Sequence, residues 1–302
     1  MREPPAFSNK TYPAMITAAI VKELRDKTNA GMMDCKKVLS ETNGDIEASI
    51  KLLRERGIAK AGAKADRAAK EGIIAARVNS LAESGILLEV NCETDFVSKN
   101  EGFQTFVAKI ADTLAAAAAP DHAAALAVNF GEYDLENTLK AKFVEVGENL
   151  QFRKYIRYDA APDGVIGSYI HMGGKVGVLI EVGTTQPPTA ATAGFKELVK
   201  DLTLHIAACA PKGLSRNDIP QSVIDNEKEI FRAQLINEGK PEAMLEKILP
   251  GKLAKWFSES CFLEQGFVKD PDITVAKLLA AKGAELGDTL SVTRFVRFGL
   301  GE

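Results

Sequence analysis

Hydrophobic residues in the first sixty positions recur at helical spacing in three short runs. The apolar positions are Ile20 and Leu24 in the first run, Met33, Val38 and Leu39 in the second, and Ile46, Ile50, Leu52 and Leu53 in the third. The runs are separated at residues 29–31 and 43–45, where Gly can end one helix and Asp can cap the next. This pattern predicts a three-helix module over residues 15–60, followed by a polar linker over 61–72.

The pattern then changes from helical spacing to β-like runs at residues 73–78 and 85–91, separated by a polar turn. Phe103, Phe106, Val107 and Ile110 return to helical spacing and predict a helix from about Lys99. We expect residues 73–150 to form one core subdomain. Residues 115–125 carry few bulky side chains, so we expect a peripheral helix or loop there.

A second group of β-like runs occupies residues 151–158, 164–171 and 175–183, with a Gly-Gly turn before the last run. A helix is predicted at 195–210, another at 275–281, and a final strand at 290–298. That strand must rejoin a sheet begun earlier. We therefore expect residues 151–212 and 266–302 to form a second core subdomain that is interrupted by an insertion.

The insertion, residues 213–265, has two helical arms around a turn at residues 237–241. Each arm has a narrow apolar stripe and a charged remainder, which predicts a projecting antiparallel hairpin of coiled-coil type. The predicted fold class is α+β: a three-helix N-terminal module, two small antiparallel-sheet subdomains with helices, and the inserted hairpin. The exposed stripes suggest homodimerisation through the hairpin as a hypothesis.

The charge balance argues against a polyanionic ligand. The 302 residues include 38 Lys and Arg against 41 Asp and Glu, so the formal net charge is only −3. We expect no direct nucleic-acid binding and no membrane binding. No apolar run reaches the ~18 residues of a membrane span, and the opening stretch lacks a signal-peptide core, so a cytoplasmic location is expected. The four cysteines are widely spaced, which favours reduced, packed thiols.

The sequence offers no recognisable catalytic constellation. The fragment Gly173-Gly174-Lys175-Val176 lacks the spacing and the hydroxyl of a phosphate-binding loop. The histidines, His122, His171 and His205, are scattered without a metal-site or nucleophile motif. Glu93 and Asp95 are weak evidence for acid–base chemistry. We therefore predict a protein that is not an enzyme, with no cofactor and no metal site.

Several segments, in order along the chain, resemble the elongation factor Ts family. They are VKELR at 21–25, AGMMDCKK at 30–37, NGDIEA at 43–48, LEVNCETDFVSKN at 88–100, GSYIH at 167–171, GVL at 177–179, GKP at 239–241 and RFVRF at 294–298. The first three are similar to the UBA-like (ubiquitin-associated-type) N-terminal module of that family. The family usually begins near Met15, so we expect residues 1–14 to be a disordered extension.

The resemblance implies a partner and a site. It implies binding to elongation factor Tu and exchange of its GDP for GTP, with Thr94, Asp95, Phe96 and Val97 disturbing the magnesium and phosphate region of that partner. It also implies partner contacts for Arg25, Met32, Met33 and His171.

Each of these residues also has a structural interpretation. By spacing alone, Phe96 fits the apolar face of the helix that carries Phe103, and Val97 could pack beneath it. Either methionine could belong to the core of the three-helix module, and His171 could be an ordinary surface histidine. A rival function is a ubiquitin-fold-binding or scaffold protein that uses the module for recognition and the hairpin for assembly; an enzyme is a more distant third.

Overall fold

A computed structural model describes residues 16–28, 30–63 and 67–302. The predicted N-terminal extension lies outside these residues. The three predicted N-terminal helices are present as α1 (Ala18–Thr28), α2 (Met32–Glu41) and α3 (Ile46–Ala63). They enclose a small core, whose buried members include Val21, Leu24, Cys35, Val38, Leu39 and Leu53. Helix α3 continues into the first residues of the predicted linker and ends at Ala63.

The body of the protein contains two three-stranded antiparallel sheets. The first has the order β1 (Glu71–Val78), β2 (Ser84–Cys92), β3 (Gln151–Asp159), and the second the order β4 (Gly164–His171), β5 (Val176–Gly183), β8 (Ser291–Gly299). Residues 151–159 were predicted to belong with the second subdomain, but β3 pairs with β2. β8 pairs with β5, so the chain between these two strands, which includes the predicted hairpin, leaves this sheet and returns to it. The remaining domain limits stay a prediction.

The two sheets face each other and each is covered by helices on its outer side. The first sheet carries α4 (Asp95–Ser98), α5 (Glu101–Ala117), α6 (His122–Leu126) and α7 (Leu135–Val146), and the second carries α8 (Ala193–Cys209) and α11 (Val275–Leu286). Alternation along β2 directs Ile86 and Leu88 to the helices and Leu87 to the opposite sheet. Gly177 lets the sheets approach, since a Cβ there would lie 2.4 Å from Cγ2 of Ile74.

The alanine-rich region is not peripheral, contrary to our expectation. Ala119 and Ala125 are buried in the helical layer over the first sheet. The small side chains leave room for Tyr155, whose hydroxyl donates a hydrogen bond to the Ala119 carbonyl at 2.7 Å. Small residues here permit close packing instead of preventing it.

The insertion forms the predicted helical hairpin from α9 (Gln221–Asn237) and α10 (Glu242–Ser260). Leu235, Leu245 and Leu249 are buried between the arms, and Trp256 packs with Ile219 and Cys261 at the base. A short ribbon of β6 (Gly266–Phe267) and β7 (Asp270–Thr274) then leads to α11 and had not been predicted. Dimerisation through the hairpin stays a hypothesis.

We expect Gly57→Ala to weaken the contact between α3 and α7. A Cβ at position 57 would lie 1.8 Å from Cγ2 of Val144, so either helix must move. Overpacking of this kind typically costs about 1–3 kcal/mol. Limited proteolysis and thermal unfolding should both reveal a loosened N-terminal module. Val144→Ala in the same chain should restore the wild-type behaviour, and a failure to do so would contradict the steric explanation.

Buried His205 should make the fold acid-sensitive. Its Nδ1 accepts from the Val268 amide at 3.1 Å, which leaves Nε2 to donate to Oε1 of Gln265 at 3.0 Å. Burial lowers the pKa of His205 below its ordinary value, against the opposing effect of the Gln265 hydrogen bond. Above pH ~6.5 the imidazole is neutral in both states and contributes no pH dependence.

Below that pH the unfolded chain binds a proton that the folded chain does not, so stability falls by up to about 1.4 kcal/mol per pH unit until the folded pKa is reached. Urea unfolding between pH 7.5 and 5.5 measures this slope. A His205→Gln variant should be less stable at neutral pH but should show a flatter slope. Equal slopes in the two proteins would assign the acid sensitivity to other groups.

Candidate functional site

The segment Thr94–Val97 forms a tight corner between β2 and α5. Thr94 caps the single turn of α4, its side-chain oxygen accepting from the Val97 amide at 3.5 Å. Asn100 caps α5 in the same way, accepting from the Phe103 amide at 3.2 Å. Two successive N-caps thus fix where the strand ends and the long helix begins.

Phe96 projects from this corner into solvent. Its side chain is 83% exposed, whereas Val97 is half-buried against the core under the first sheet. Phe96 therefore does not belong to the apolar face of α5, which was the structural alternative, and Val97 packs as that alternative had it.

Asp95, next to Phe96, carries an exposed ion pair. Its carboxylate lies 2.7 Å from Nζ of Lys99, and this hydrogen bond lowers the pKa of Asp95 and raises that of Lys99. The negative charge of Glu71 also raises the pKa of Lys99. The Glu71 carboxylate lies 3.5 Å from Nζ of Lys175.

His171 is the last residue of β4, directly before the turn between β4 and β5, and is exposed. The Tyr169 hydroxyl is 3.0 Å from its Nδ1, and the two rings stack at 5.7 Å. The carbonyl of Gly174 accepts from the Ile74 amide at 2.8 Å, which fixes the turn against β1. Exposed Ile170 and Met172 flank His171. These two apolar residues were not predicted as part of the site from the sequence, although the Gly-Gly pair after Met172 indicated a turn.

Arg25, Met32 and Met33 lie on the N-terminal module. Met32 is 58% and Met33 75% exposed, so neither fills the core of the module as the structural alternative had it. Arg25 is exposed on α1. These side chains are carried by α1 and α2, and the module reaches the body through the packing of α3 on α7.

Two carboxylates behind the corner were also missed from the sequence. Oε2 of Glu148 accepts from the amides of Glu93 and Thr94, both at 3.0 Å, and Oε1 accepts from the Thr94 hydroxyl at 2.5 Å. Oε1 of Glu93 accepts in return from the Asn149 amide at 2.8 Å. No local pattern could reveal this pairing, since Glu148 lies 54 residues from Thr94.

The corner has no chemistry of its own beyond these contacts. Burial raises the pKa of Cys92 to about 12, and its thiol donates to the Thr94 carbonyl at 3.2 Å, so it acts as a packed, weakly polar group. Over residues 16–28, 30–63 and 67–302, no group of three or more His, Cys, Asp or Glu side chains could hold a metal ion. Within the same ranges no helix is long and apolar enough to cross a membrane.

Comparison with known proteins decides the family. Residues 93–302, which include the corner and the His171 turn, match the family model described as Elongation factor TS. The chain belongs to the elongation factor Ts family. Membership of this family implies nucleotide exchange for elongation factor Tu in translation elongation.

The similarity to individual elongation factor Ts proteins extends over nearly the whole chain. Elongation factor Ts of Clostridium perfringens is 43% identical over 289 residues, covering 95% of this chain and 94% of that protein. The protein of the same name from Thioalkalivibrio sulfidiphilus is 44% identical over 287 residues, covering 95% and 92%. The one from Trichlorobacter lovleyi is 41% identical over 290 residues, covering 95% and 93%.

Proposed function

We propose that this chain binds elongation factor Tu carrying GDP and promotes exchange for GTP by inserting Thr94–Val97 beside the magnesium and phosphate site of that GTPase. The observation that carries the mechanism is the 83% exposure of Phe96 on a corner fixed by two N-caps. An apolar ring held outward on a fixed backbone needs little reorganisation to enter a partner. We also propose a cytoplasmic location, because that is where a translation factor acts.

Phe96 supplies the wedge. Burying a phenylalanine side chain contributes about 1.5–3 kcal/mol, and this energy is gained only when the ring enters an apolar space. Where that space opens fully only as the nucleotide site is distorted, binding favours the distorted state of the GTPase. The half-buried Val97 holds the corner from beneath.

Asp95 supplies an acceptor beside the wedge. Its partner Lys99 is solvent-exposed, and exposed ion pairs are worth only about 0–1 kcal/mol, so Asp95 can exchange Lys99 for donors on the partner at small cost. The lowered pKa keeps the carboxylate ionised well below neutral pH. Donors that hold the magnesium and phosphate region of the resting GTPase are the groups it would take.

Exchange follows from linkage and needs no covalent step. If this protein prefers the nucleotide-free GTPase by some factor, nucleotide must weaken its binding by the same factor. Binding of GTP then weakens the complex and releases this protein. The proposed function is therefore that of a binding protein and not of an enzyme.

The remaining proposed contacts lie on two other surfaces. Met32 and Met33, whose unbranched side chains adapt to a facing helix, form one with Arg25. His171, stacked on Tyr169 and flanked by Ile170 and Met172, forms the other. Contact at these surfaces would orient the GTPase so that Phe96 meets its nucleotide site.

Release of a fluorescent GDP analogue from elongation factor Tu tests the function. We expect the rate to rise with the concentration of this protein and to saturate. Chelating magnesium should accelerate release by itself and should shrink the further acceleration by the protein, because both act on the same ion site. A release rate that stays at its intrinsic value at every protein concentration would overturn the proposal in favour of the scaffold function.

A further inference from the structure

The single helical turn that carries Phe96 needs outside support. Helix α4 has four residues, far fewer than a helix needs to be stable alone in water. Phe96 itself is exposed and contributes nothing to holding the turn. Besides the packing of Val97 beneath it, the turn is held by the groups that bind the chain on the N-terminal side of α4.

Glu148 accepts three hydrogen bonds there, two from backbone amides and one from a side-chain hydroxyl. Its carboxylate accepts from the Glu93 amide, the Thr94 amide and the Thr94 hydroxyl. Hydrogen bonds to a charged acceptor are stronger than neutral ones. The hydroxyl that donates to Glu148 is also the oxygen that accepts from the Val97 amide, so Glu148 orients the cap of α4.

Contacts in the opposite direction run from Glu93 to the residues around Glu148 and to Arg67, which precedes β1. The Glu93 carboxylate accepts from the Asn149 amide and lies 3.4 Å from a guanidinium nitrogen of Arg67. The side-chain amide of Asn149 donates to the Arg67 carbonyl at 3.0 Å. The chain leaving the N-terminal module, the end of β2 and the start of β3 are thereby joined in one small cluster.

Helix α7 connects this cluster to the N-terminal module. Gly147, in the left-handed region with φ 78°, ends α7, and Glu148 follows directly. Val144, one turn earlier, contacts Gly57 of α3 and packs against the core of the module. A displacement of the module against the body would therefore move the residue that orients Thr94.

We propose that Glu148 is a positioning residue for exchange: it holds Thr94–Val97 in the conformation that presents Phe96 and couples this corner to the docking of the N-terminal module. The inference rests on the proposed function and adds a residue outside the inserted segment. Glu148 need not touch the partner. Its effect should appear in the maximal rate of release more than in the concentration that gives half of that rate.

Glu148→Ala and Glu148→Gln in the full chain test this role, with Glu136→Gln as the matched control. Glu136 is exposed on the first turn of α7 and pairs only with half-buried Lys140 among the ion pairs found there, so its replacement removes the same charge away from the corner. We expect Glu148→Ala to lower the maximal GDP release rate about tenfold, since acceptors for two amides and a hydroxyl are lost. Glu148→Gln, which keeps one acceptor oxygen, should lose less, and Glu136→Gln should match the wild type.

Amide hydrogen exchange separates positioning from general destabilisation. The amides of Glu93 and Thr94 should exchange faster in Glu148→Ala, while those of β5 keep their wild-type protection. A wild-type release rate in Glu148→Ala, or unchanged exchange at Glu93 and Thr94, would overturn the proposal. Equal loss of protection in β5 would overturn it as well, since the effect would then be on the whole fold. If the wild-type protein does not accelerate GDP release from elongation factor Tu, the proposed function is wrong. Hydrogen exchange still decides in that case whether Glu148 holds the corner.

Discussion

Replacing Phe96 by alanine is expected to lower the maximal rate of GDP release from elongation factor Tu by about tenfold to a hundredfold. The estimate follows from the ~1.5–3 kcal/mol gained by burying the ring, at about 1.4 kcal/mol for each tenfold in rate. Since the ring is exposed in the free protein, its removal should leave the free energy of unfolding within about 0.5 kcal/mol of the wild type. Stopped-flow release and urea unfolding measure the two quantities.

Leu81→Ala is the matched control for this prediction. Leu81 is 69% exposed on the turn between β1 and β2, at the opposite end of the first sheet from the corner. It tests whether loss of any exposed apolar side chain slows release. Equal losses in the two variants would indicate a general effect of surface hydrophobicity, and a wild-type rate for Phe96→Ala would leave the exchange function without its wedge.

The largest effect on stability is expected from Arg294→Ala. Arg294 lies on β8, and its guanidinium donates to Oε2 of buried Glu181 at 2.6 Å and to the Asp159 carbonyl at 2.7 Å. It also stacks on the Tyr158 ring at 4.1 Å. Removing it leaves the Glu181 carboxylate buried with only the Ala161 amide as a donor among the contacts found in residues 16–28, 30–63 and 67–302. We expect a loss of about 3 kcal/mol in the free energy of unfolding.

Two further variants make the cause identifiable. Arg232→Ala removes an arginine whose ion pairs with Glu242 and Glu246 are exposed, and it should cost less than about 1 kcal/mol. Glu181→Gln added to Arg294→Ala should recover part of the loss, because the buried group no longer carries a charge. If the second substitution deepens the loss instead, stacking on Tyr158 and not the ion pair is what Arg294 mainly provides.

The elements that the sequence predicted well are those with a strong local period. The apolar positions of α1, α2, α5 and α8 recur at helical spacing, and each helix forms where that spacing occurs. The α+β class and the inserted hairpin followed from the same local signals. The placement of β3 did not, because strand pairing joins distant parts of the chain and the partner of a strand is not written in its own residues.

The site was predictable only in part for a similar physical reason. The family resemblance pointed to Phe96, whereas spacing alone would have assigned this residue to the core. The structure shows that Phe96 is exposed. Glu148 carries no signal at all in the sequence, since a carboxylate after a helix end is common and its partners are far along the chain. The ribbon of β6 and β7 was missed because its strands, of two and five residues, are too short for a period to appear.

The hydrogen bond between Ile74 and Gly174 joins β1 of the first sheet to the turn between β4 and β5 of the second. Phe96 can displace groups of a partner only if the backbone that carries it does not move instead. The corner and the His171 turn are fixed to opposite sheets, and these sheets share one buried layer. A force on Phe96 from a bound partner is therefore resisted by both sheets together. On the proposed function, the GTPase is then the protein that changes conformation in the complex. The free energy of binding is used to distort its nucleotide site.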